Sequence, residues 1–400
     1  MTNKISAYYF PLILLFSILA GSMTGYIMGP AAAQFKPLGD IFLNLLFTAV
    51  VPLVFFSIAS AIAHMGGQGK ILKVMLSMIS VFIFTGIIAA GFMLVVVTIF
   101  PPAQNVVLNL QLPDKIESIN LIHQLVSMIS VADFSGLLSH LNMMPLILFS
   151  FITGLACAGI KEKGRDFAAF LRSGTEVFLK VISYIMYYAP IGFFAYFAVL
   201  VGEKGTQMLA GYFRVIVIYY AAASIYFLLA FTLYAFLAGG KEKIRLFWKN
   251  ISIPMMTAFA TCSSAASIPA NLQAARNMKV SDDICETVIP MGAMLHKDGS
   301  VLGAIIKISF LFGIYGMSFS GPSAIFTAIF IALMAGTVMG AIPSGGMLGE
   351  MLILSLYGFP PQALLVIAAI SILIDPLATM LNVTGDTVCA MIVDRMKKLC

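Results

Sequence analysis

The chain is predicted to be an all-α polytopic membrane protein, with eight transmembrane helices plus two re-entrant helical hairpins arranged as inverted repeats. Three observations carry that expectation. Of the 400 residues, 60% are hydrophobic and only 10% charged, more apolar surface than a soluble core uses. At least eight apolar windows of roughly 20 residues, the length that spans a bilayer, are separated by short polar stretches. Two further apolar segments each carry a Ser- or Gly-rich tip in mid-run, which an ordinary span does not.

The windows fall near 8–29, 40–63, 75–100, 120–160, 176–202, 209–238, 284–316 and 361–393. The first, Tyr8 to Met28, follows a single basic residue, Lys4, and is too long for a removable signal, so it reads as the first span. The net charge of +6 lies in short loops and not in a patch interleaved with aromatics, which argues against a nucleic-acid partner. It is a topology signal instead. With a cytoplasmic amino terminus, Lys70, Lys73, Lys161, Lys163, Arg165, Arg172, Lys241, Lys243, Arg245, Lys249, Arg395, Lys397 and Lys398 all fall inside. The opposite loops carry only Lys36, Lys115 and Lys204, as the positive-inside rule requires. Both termini are therefore expected in the cytoplasm, and the protein in the inner or plasma membrane. Five scattered cysteines, Cys157, Cys262, Cys285, Cys389 and Cys400, indicate neither a disulfide framework nor a zinc site.

That topology closes only if 250–275 and 322–357 each enter and leave on one side. The first reads ISIPMMTAFATCSSAASIPANLQ and the second FTAIFIALMAGTVMGAIPSGGMLGEML: apolar arm, small-residue tip, Ile-Pro, second arm. One tip alone is explained by Ser263, Ser264, Ser344, Gly345 and Gly346 permitting close helix packing. Two matched tips in opposed orientation point further, because bare backbone at membrane depth must line protein or a cavity, and paired broken segments mark a transporter's binding site.

The last window contains ILIDPLATMLNVTGDTVC, in which Asp375, Thr379, Asn382 and Asp386 stand at i, i+4, i+7 and i+11, one stripe of a helix. A charge inside a bilayer costs roughly 2.5–3.5 kcal/mol even on lenient insertion scales, so such groups face a partner, a cavity or an ion path. Hydrogen bonding between helices is the plainer account, and it suits Thr379 better than the two aspartates. A second polar intrusion, MGAMLHKDGSVL, sets His296, Lys297 and Asp298 side by side in the seventh window.

Together TCSSAAS followed by IP, HKDGS, AIPSGG and DPLATMLNVTGD, with YYAPIGFFA at 187–195, resemble in order the motifs of the dicarboxylate/amino acid:cation symporters, which include the glutamate transporters. The resemblance implies a glutamate-transporter-like fold and a homotrimer. A scaffold would comprise 1–74 (spans one and two) and 102–205 (spans four and five). An elevator-type transport domain would comprise 75–101 (span three) and 206–400 (span six, hairpin one at 250–275, span seven, hairpin two at 322–357, span eight). It implies that Asn382 and Ser264 bind a substrate α-carboxylate, Asp375 its α-ammonium and Thr379 a neighbouring atom, with Ser263, Ser300, Ile342 and Gly346 completing the substrate set. Asp298 and Asp386 match sodium-site carboxylates, Thr85 a third-span sodium-site threonine, and Asn382, His296 and Lys297 join the ion-coupling set. No cofactor is implied beyond a coupling ion, sodium or a proton.

The departures redirect this reading. Ala378 and Cys262 stand where relatives that carry acidic amino acids place an arginine, so a second substrate carboxylate would be buried without its bidentate partner. Small neutral L-amino acids are the expected substrates; a sodium-coupled symporter of acidic amino acids or dicarboxylates is the alternative. His296-Lys297 replaces Asn-Met, Phe82 and Gly86 replace a tyrosine and a serine, and Met339 a hydroxyl, removing sodium ligands. Lys297 is expected to lie near Asp298 and Asp386 and take sodium's charge role, His296 offering a proton-carrying group. A static salt bridge or a snorkelling amine is the plainer account of Lys297. Two other classes stay open: an intramembrane serine hydrolase pairing Ser344 or Ser263 with His296, and a channel. Lys307 and Glu350 read as a structural ion pair or as interfacial charges.

Overall fold

A computed structural model describes residues 6–63, 69–103, 130–139, 142–204, 207–339 and 346–399. All regular structure among these described residues is helical, as a lipid environment demands when every backbone group must be satisfied within the segment. The helices are α1 (Ser6–Met28), α2 (Lys36–Ala63), α3 (Gly69–Ile99), α4 (Met143–Gly159), α5 (Arg165–Met186), α6 (Ala189–Lys204), α7 (Gln207–Leu237) and α8 (Gly240–Asn250). They continue with α9 (Ser252–Thr261), α10 (Ser264–Asn277), α11 (Asp282–Leu295), α12 (Asp298–Ile314), α13 (Pro322–Met339), α14 (Gly346–Tyr357) and α15 (Ala363–Leu399).

Four helical stretches are long and apolar enough to cross a membrane, Leu12–Ser60, Val74–Ile99, Ala210–Leu237 and Ala363–Lys397. Two expected single spans are broken. Window 176–202 divides between α5 and α6, with a bend of 53°. Pro190 stands at the second position of α6, where a missing N–H is tolerated at a helix start but not in an interior. Window 284–316 divides into α11 and α12 at His296 and Lys297. Of window 120–160, the described helical residues are one turn at Phe134–Leu137 and α4.

The helices pack in two sets. α1 lies on α6, and α2 on α4, α5 and α6. α12 lies on α15, α3 and α13, while α15 also meets α7, α9, α10 and α11. α12 is apolar on every side, so it is enclosed on every side: Leu302 to Ile306 are each buried. The segment expected as the first hairpin is α9 and α10, joined through Cys262, whose φ of 48° is left-handed, and Ser263, whose side chain accepts from the Ala266 N–H and caps α10. α13 and α14 occupy the second, packed on each other; Ile342, Ser344 and Gly345 lie outside the described residues. Charged residues gather at the ends of α8, α10, α11 and α15, where Arg276 pairs with Asp282 and Glu286, and Lys279 with Glu242. The Lys279 hydrogen bond holds the Glu242 carboxyl below its usual range.

Candidate functional site

The polar centre forms where α11 and α12 are interrupted beside α15. Pro290 lies inside α11, and the helix stops at Leu295; His296 is extended, with ψ 121°, before α12 resumes at Asp298. An interrupted helix exposes N–H groups that need partners. Asn382 of α15 supplies one: its Oδ1 accepts from the N–H groups of Gly299 (2.9 Å) and Ser300 (3.3 Å), and its Nδ2 donates to Ser300 Oγ at 3.0 Å. The crossing is close because three glycines allow it. A Cβ on Gly292 would lie 2.6 Å from Asp386 Oδ1, on Gly385 2.5 Å from His296 Cε1, and on Gly299 2.3 Å from the Ala378 carbonyl.

His296, 1% exposed, stands between the two carboxylates. Its Nδ1 is 3.1 Å from Asp386 Oδ1, and its Nε2 is 3.1 Å from Asp298 Oδ1 and 3.0 Å from Thr85 Oγ1. Tyr226 Oη donates to Asp298 Oδ2 at 2.9 Å and lies 3.1 Å from Tyr234 Oη. Cys389 Sγ and the Phe82 ring complete the enclosure, the ring centroids of Phe82 and His296 lying 4.8 Å apart. Hard cations take several oxygen ligands; here an imidazole fills the space between the carboxylates that match sodium ligands, and an aromatic ring covers one side. With the imidazole in that gap, a cation has no room directly between Asp298 and Asp386, while Asp298 Oδ1 and Asp386 Oδ2 remain buried without a hydrogen-bond partner.

Lys297 is expected near this pair, and of the two acids it is Asp386 that it neighbours. Its ammonium has no hydrogen bond to a carboxylate; it donates to the Ala293 carbonyl at 2.6 Å and to Ser264 Oγ at 3.3 Å. The extended backbone sends successive side chains to opposite sides, so His296 enters the gap between the two acids while Lys297 bonds towards α10 and α11. Ser264, at the first turn of α10, is buried with Lys297.

Asp375 sits further along α15 with an exposed side chain, accepting a hydrogen bond from Thr379 Oγ1 at 3.1 Å. Cys262, Tyr219 and Tyr220 lie within Coulombic reach of it, so α7 and the α9–α10 junction both approach this carboxylate. Ala378 is buried while Cys262 is half-buried. Ser300 is partly buried against Asn382, and Gly346 opens α14. The polar groups thus divide into a closed cluster around His296, a buried pair of Ser264 and Lys297, and the exposed Asp375. The tyrosines Tyr219, Tyr226 and Tyr234, Cys389 and the three glycines were not singled out from the sequence. Aromatic and small residues in an apolar helix carry no periodic signal that separates a site contact from a lipid contact. Lys307 and Glu350 form a buried ion pair at 3.1 Å, with Ser371 hydrogen-bonded to both.

Among the described residues, Ser263 finds no base at His296. Both imidazole nitrogens face Asp386, Asp298 and Thr85, and Ser263 Oγ is taken up capping α10.

Comparison with known proteins agrees with a transport site. The proton/sodium-glutamate symport protein of Bacillus caldotenax is 26% identical over 403 residues, covering 96% of this chain and 94% of its own. The neutral amino acid transporter B(0) of Rattus norvegicus is 30% identical over 249 residues, 62% of this chain and 44% of its own. The C4-dicarboxylate transport protein of Anaeromyxobacter sp. (strain K) is 24% identical over 306 residues, 74% of this chain and 69% of its own. These relatives are transporters, and the hydrolase reading finds no support among them. The family model for sodium:dicarboxylate symporters matches residues 10–396, and with it this integral membrane protein belongs to the sodium:dicarboxylate symporter family.

Proposed function

We propose that this protein is a secondary active transporter of small neutral L-amino acids whose substrate binding does not depend on sodium. The observation that carries the substrate reading is the exposed Asp375 carboxylate beside Ala378 and Cys262, where no guanidinium is available for a second substrate carboxylate. An α-ammonium finds its partner there; an acidic side chain finds none. The relatives include both a neutral amino acid transporter and glutamate symporters, and the missing arginines favour the former. The coupling reading rests on His296, whose ring joins Asp298 to Asp386 and puts a group belonging to the chain where a dissolved cation would sit. A proton gradient or exchange of one amino acid for another then supplies the driving force.

The working assembly is a homotrimer with eight spans, two re-entrant hairpins and both termini in the cytoplasm. The two packing sets support a scaffold of α1, α2, α4, α5 and α6 and a moving body of α3 with α7 to α15. The 10 residues of α9 span about 15 Å at 1.5 Å per residue, half a bilayer core, as an arm that enters and returns must.

Uptake into proteoliposomes, with sodium and proton gradients imposed separately, tests both parts. Alanine, serine or threonine should outcompete glutamate, and replacing sodium by choline should change their affinity less than tenfold, about 1.4 kcal/mol. Tighter glutamate binding overturns the substrate reading, and a larger sodium effect overturns the coupling reading. Cys262→Arg should move the preference towards aspartate, since position 262 has room that the buried position 378 lacks.

A further inference from the structure

Once His296 occupies the place between Asp298 and Asp386, Lys297 is left as a buried cation whose hydrogen bonds reach no carboxylate. Its side chain is 5% exposed. Its ammonium carries three N–H donors, of which two are used, on the Ala293 carbonyl and Ser264 Oγ. The third has no acceptor among the described residues. A buried charge without a directly bonded countercharge is costly, and Asp386, the nearby acid, bonds through Oδ1 to His296 and not to Lys297. No carboxylate among the described residues is hydrogen-bonded to Nζ.

We propose that the substrate's α-carboxylate supplies this bonded countercharge, and that Lys297 is a substrate-binding residue forming, with Ser264, the carboxylate half of a two-point clamp whose other half is Asp375. This deepens the amino acid transporter reading above and rests on it. Three further observations converge on the same spot. Ser264 opens α10, a helix of 14 residues, and the unbonded N–H groups of a helix's first turn favour an anion. Lys297 and Asp375 lie within Coulombic reach of each other, as the poles of a clamp for a zwitterion must. The start of the Lys297 stem is confined by α13, where a Cβ on Gly336 would come within 3.3 Å of Lys297 Cβ, and its ammonium is positioned by the Ala293 carbonyl and Ser264 Oγ. Preorganisation of this kind lowers the cost of binding. A single fixed cation at the α-carboxylate also leaves none for an acidic side chain, in keeping with a neutral substrate.

Equilibrium binding to the purified full chain in sodium-free buffer tests the assignment, using L-alanine, its carboxamide and L-glutamate on the unmodified protein and on Lys297→Met and Lys297→Gln. Truncating one partner of a buried charged hydrogen bond costs enough to weaken binding by about 30-fold or more. L-alanine should lose that much in either variant, while the carboxamide, already weak on the unmodified protein, should change by no more than about threefold; Lys297→Arg should recover part of the loss. The carboxamide comparison on the unmodified protein stands even where a variant fails to fold: binding equal to that of alanine overturns the proposal. Alanine binding unchanged in well-folded Lys297→Met overturns it too. So does a selective loss of glutamate, which would place the ammonium at a substrate side chain, or a gain of sodium dependence with alanine affinity intact, which would make Lys297 a sodium surrogate. If no amino acid binds the unmodified protein in any buffer, the transporter reading fails first and the clamp with it.

Discussion

Replacing His296 by asparagine, the residue that related motifs carry at this position, separates a fixed bridge from an ion site. The imidazole touches Asp298 and Asp386 through opposite edges of its ring, at 3.1 Å each, and Thr85 at 3.0 Å, with both acids 1% exposed. Asparagine is too short to reach both acids. Losing one hydrogen bond to a charged group costs roughly 1.5–3 kcal/mol, and leaving two buried acids with no bridge raises the total to about 3–5 kcal/mol. In choline buffer the variant should therefore melt several degrees lower than the unmodified protein in detergent. The shift is roughly 2–4 °C per kcal/mol in domains of 150–250 residues and smaller in a longer chain. The vacated space is bordered by oxygens of Asp298, Asp386, Thr85 and the new amide, so sodium should now bind and stabilise. A ligand at 100 times its dissociation constant contributes about 2.7 kcal/mol, more than half of the loss. Melting curves of both proteins in choline and in sodium decide it. Equal melting in choline, or a sodium shift in the unmodified protein as large as in the variant, refutes the bridge.

Other substitutions follow from the same geometry. Asp375→Asn should weaken alanine binding by about 30-fold or more, the low end of the cost of truncating a charged hydrogen-bonded pair, without moving the melting temperature, because the side chain is exposed; unchanged binding by calorimetry would count against its role as ammonium acceptor. Glu350→Leu alone strands Lys307 at 2% exposure and should destabilise by about 3–5 kcal/mol, while Lys307→Met with Glu350→Leu should recover most of that; a double variant no more stable than Glu350→Leu shows that the pair does not act as a unit. Gly299→Ala would set a Cβ 2.3 Å from the Ala378 carbonyl oxygen, and since backbone cannot swing aside the cost should reach the upper part of the 1–3 kcal/mol range for overpacking, read as lower yield of folded protein; normal yield and melting would mean that α12 and α15 do not cross this closely.

What could be read in advance was whatever helical spacing encodes. Asp375, Thr379, Asn382 and Asp386 share one helix because α15 runs unbroken from Ala363 to Leu399, through Pro376, and their period of 3.6 survives in the sequence. The interruption at His296 is invisible in hydropathy, since apolar residues continue on both sides of it. For the same reason no pattern reveals that His296 and Lys297 part ways: their separation depends on an extended ψ at one residue, which spacing rules for helices mistake for a continuing turn. Tyr226 reaches Asp298 from α7, 72 positions away in the chain, a pairing that only packing creates.

The imidazole bridge also bears on how such a carrier meets the membrane voltage. An ion drawn from solution adds its charge only to the loaded crossing, and each charge carried through the field is worth about 2.3 kcal/mol per 100 mV. A ring tethered to the backbone rides in both directions, whatever its charge. In the moving-body reading, a body with His296 between Asp298 and Asp386 and a zwitterion as cargo has the same electrical valence full and empty. The potential then cancels over a complete cycle and no current flows at steady state. In that reading, and with no proton carried along, accumulation of the amino acid would be set by chemical gradients alone, and a collapsed voltage would slow neither leg relative to the other.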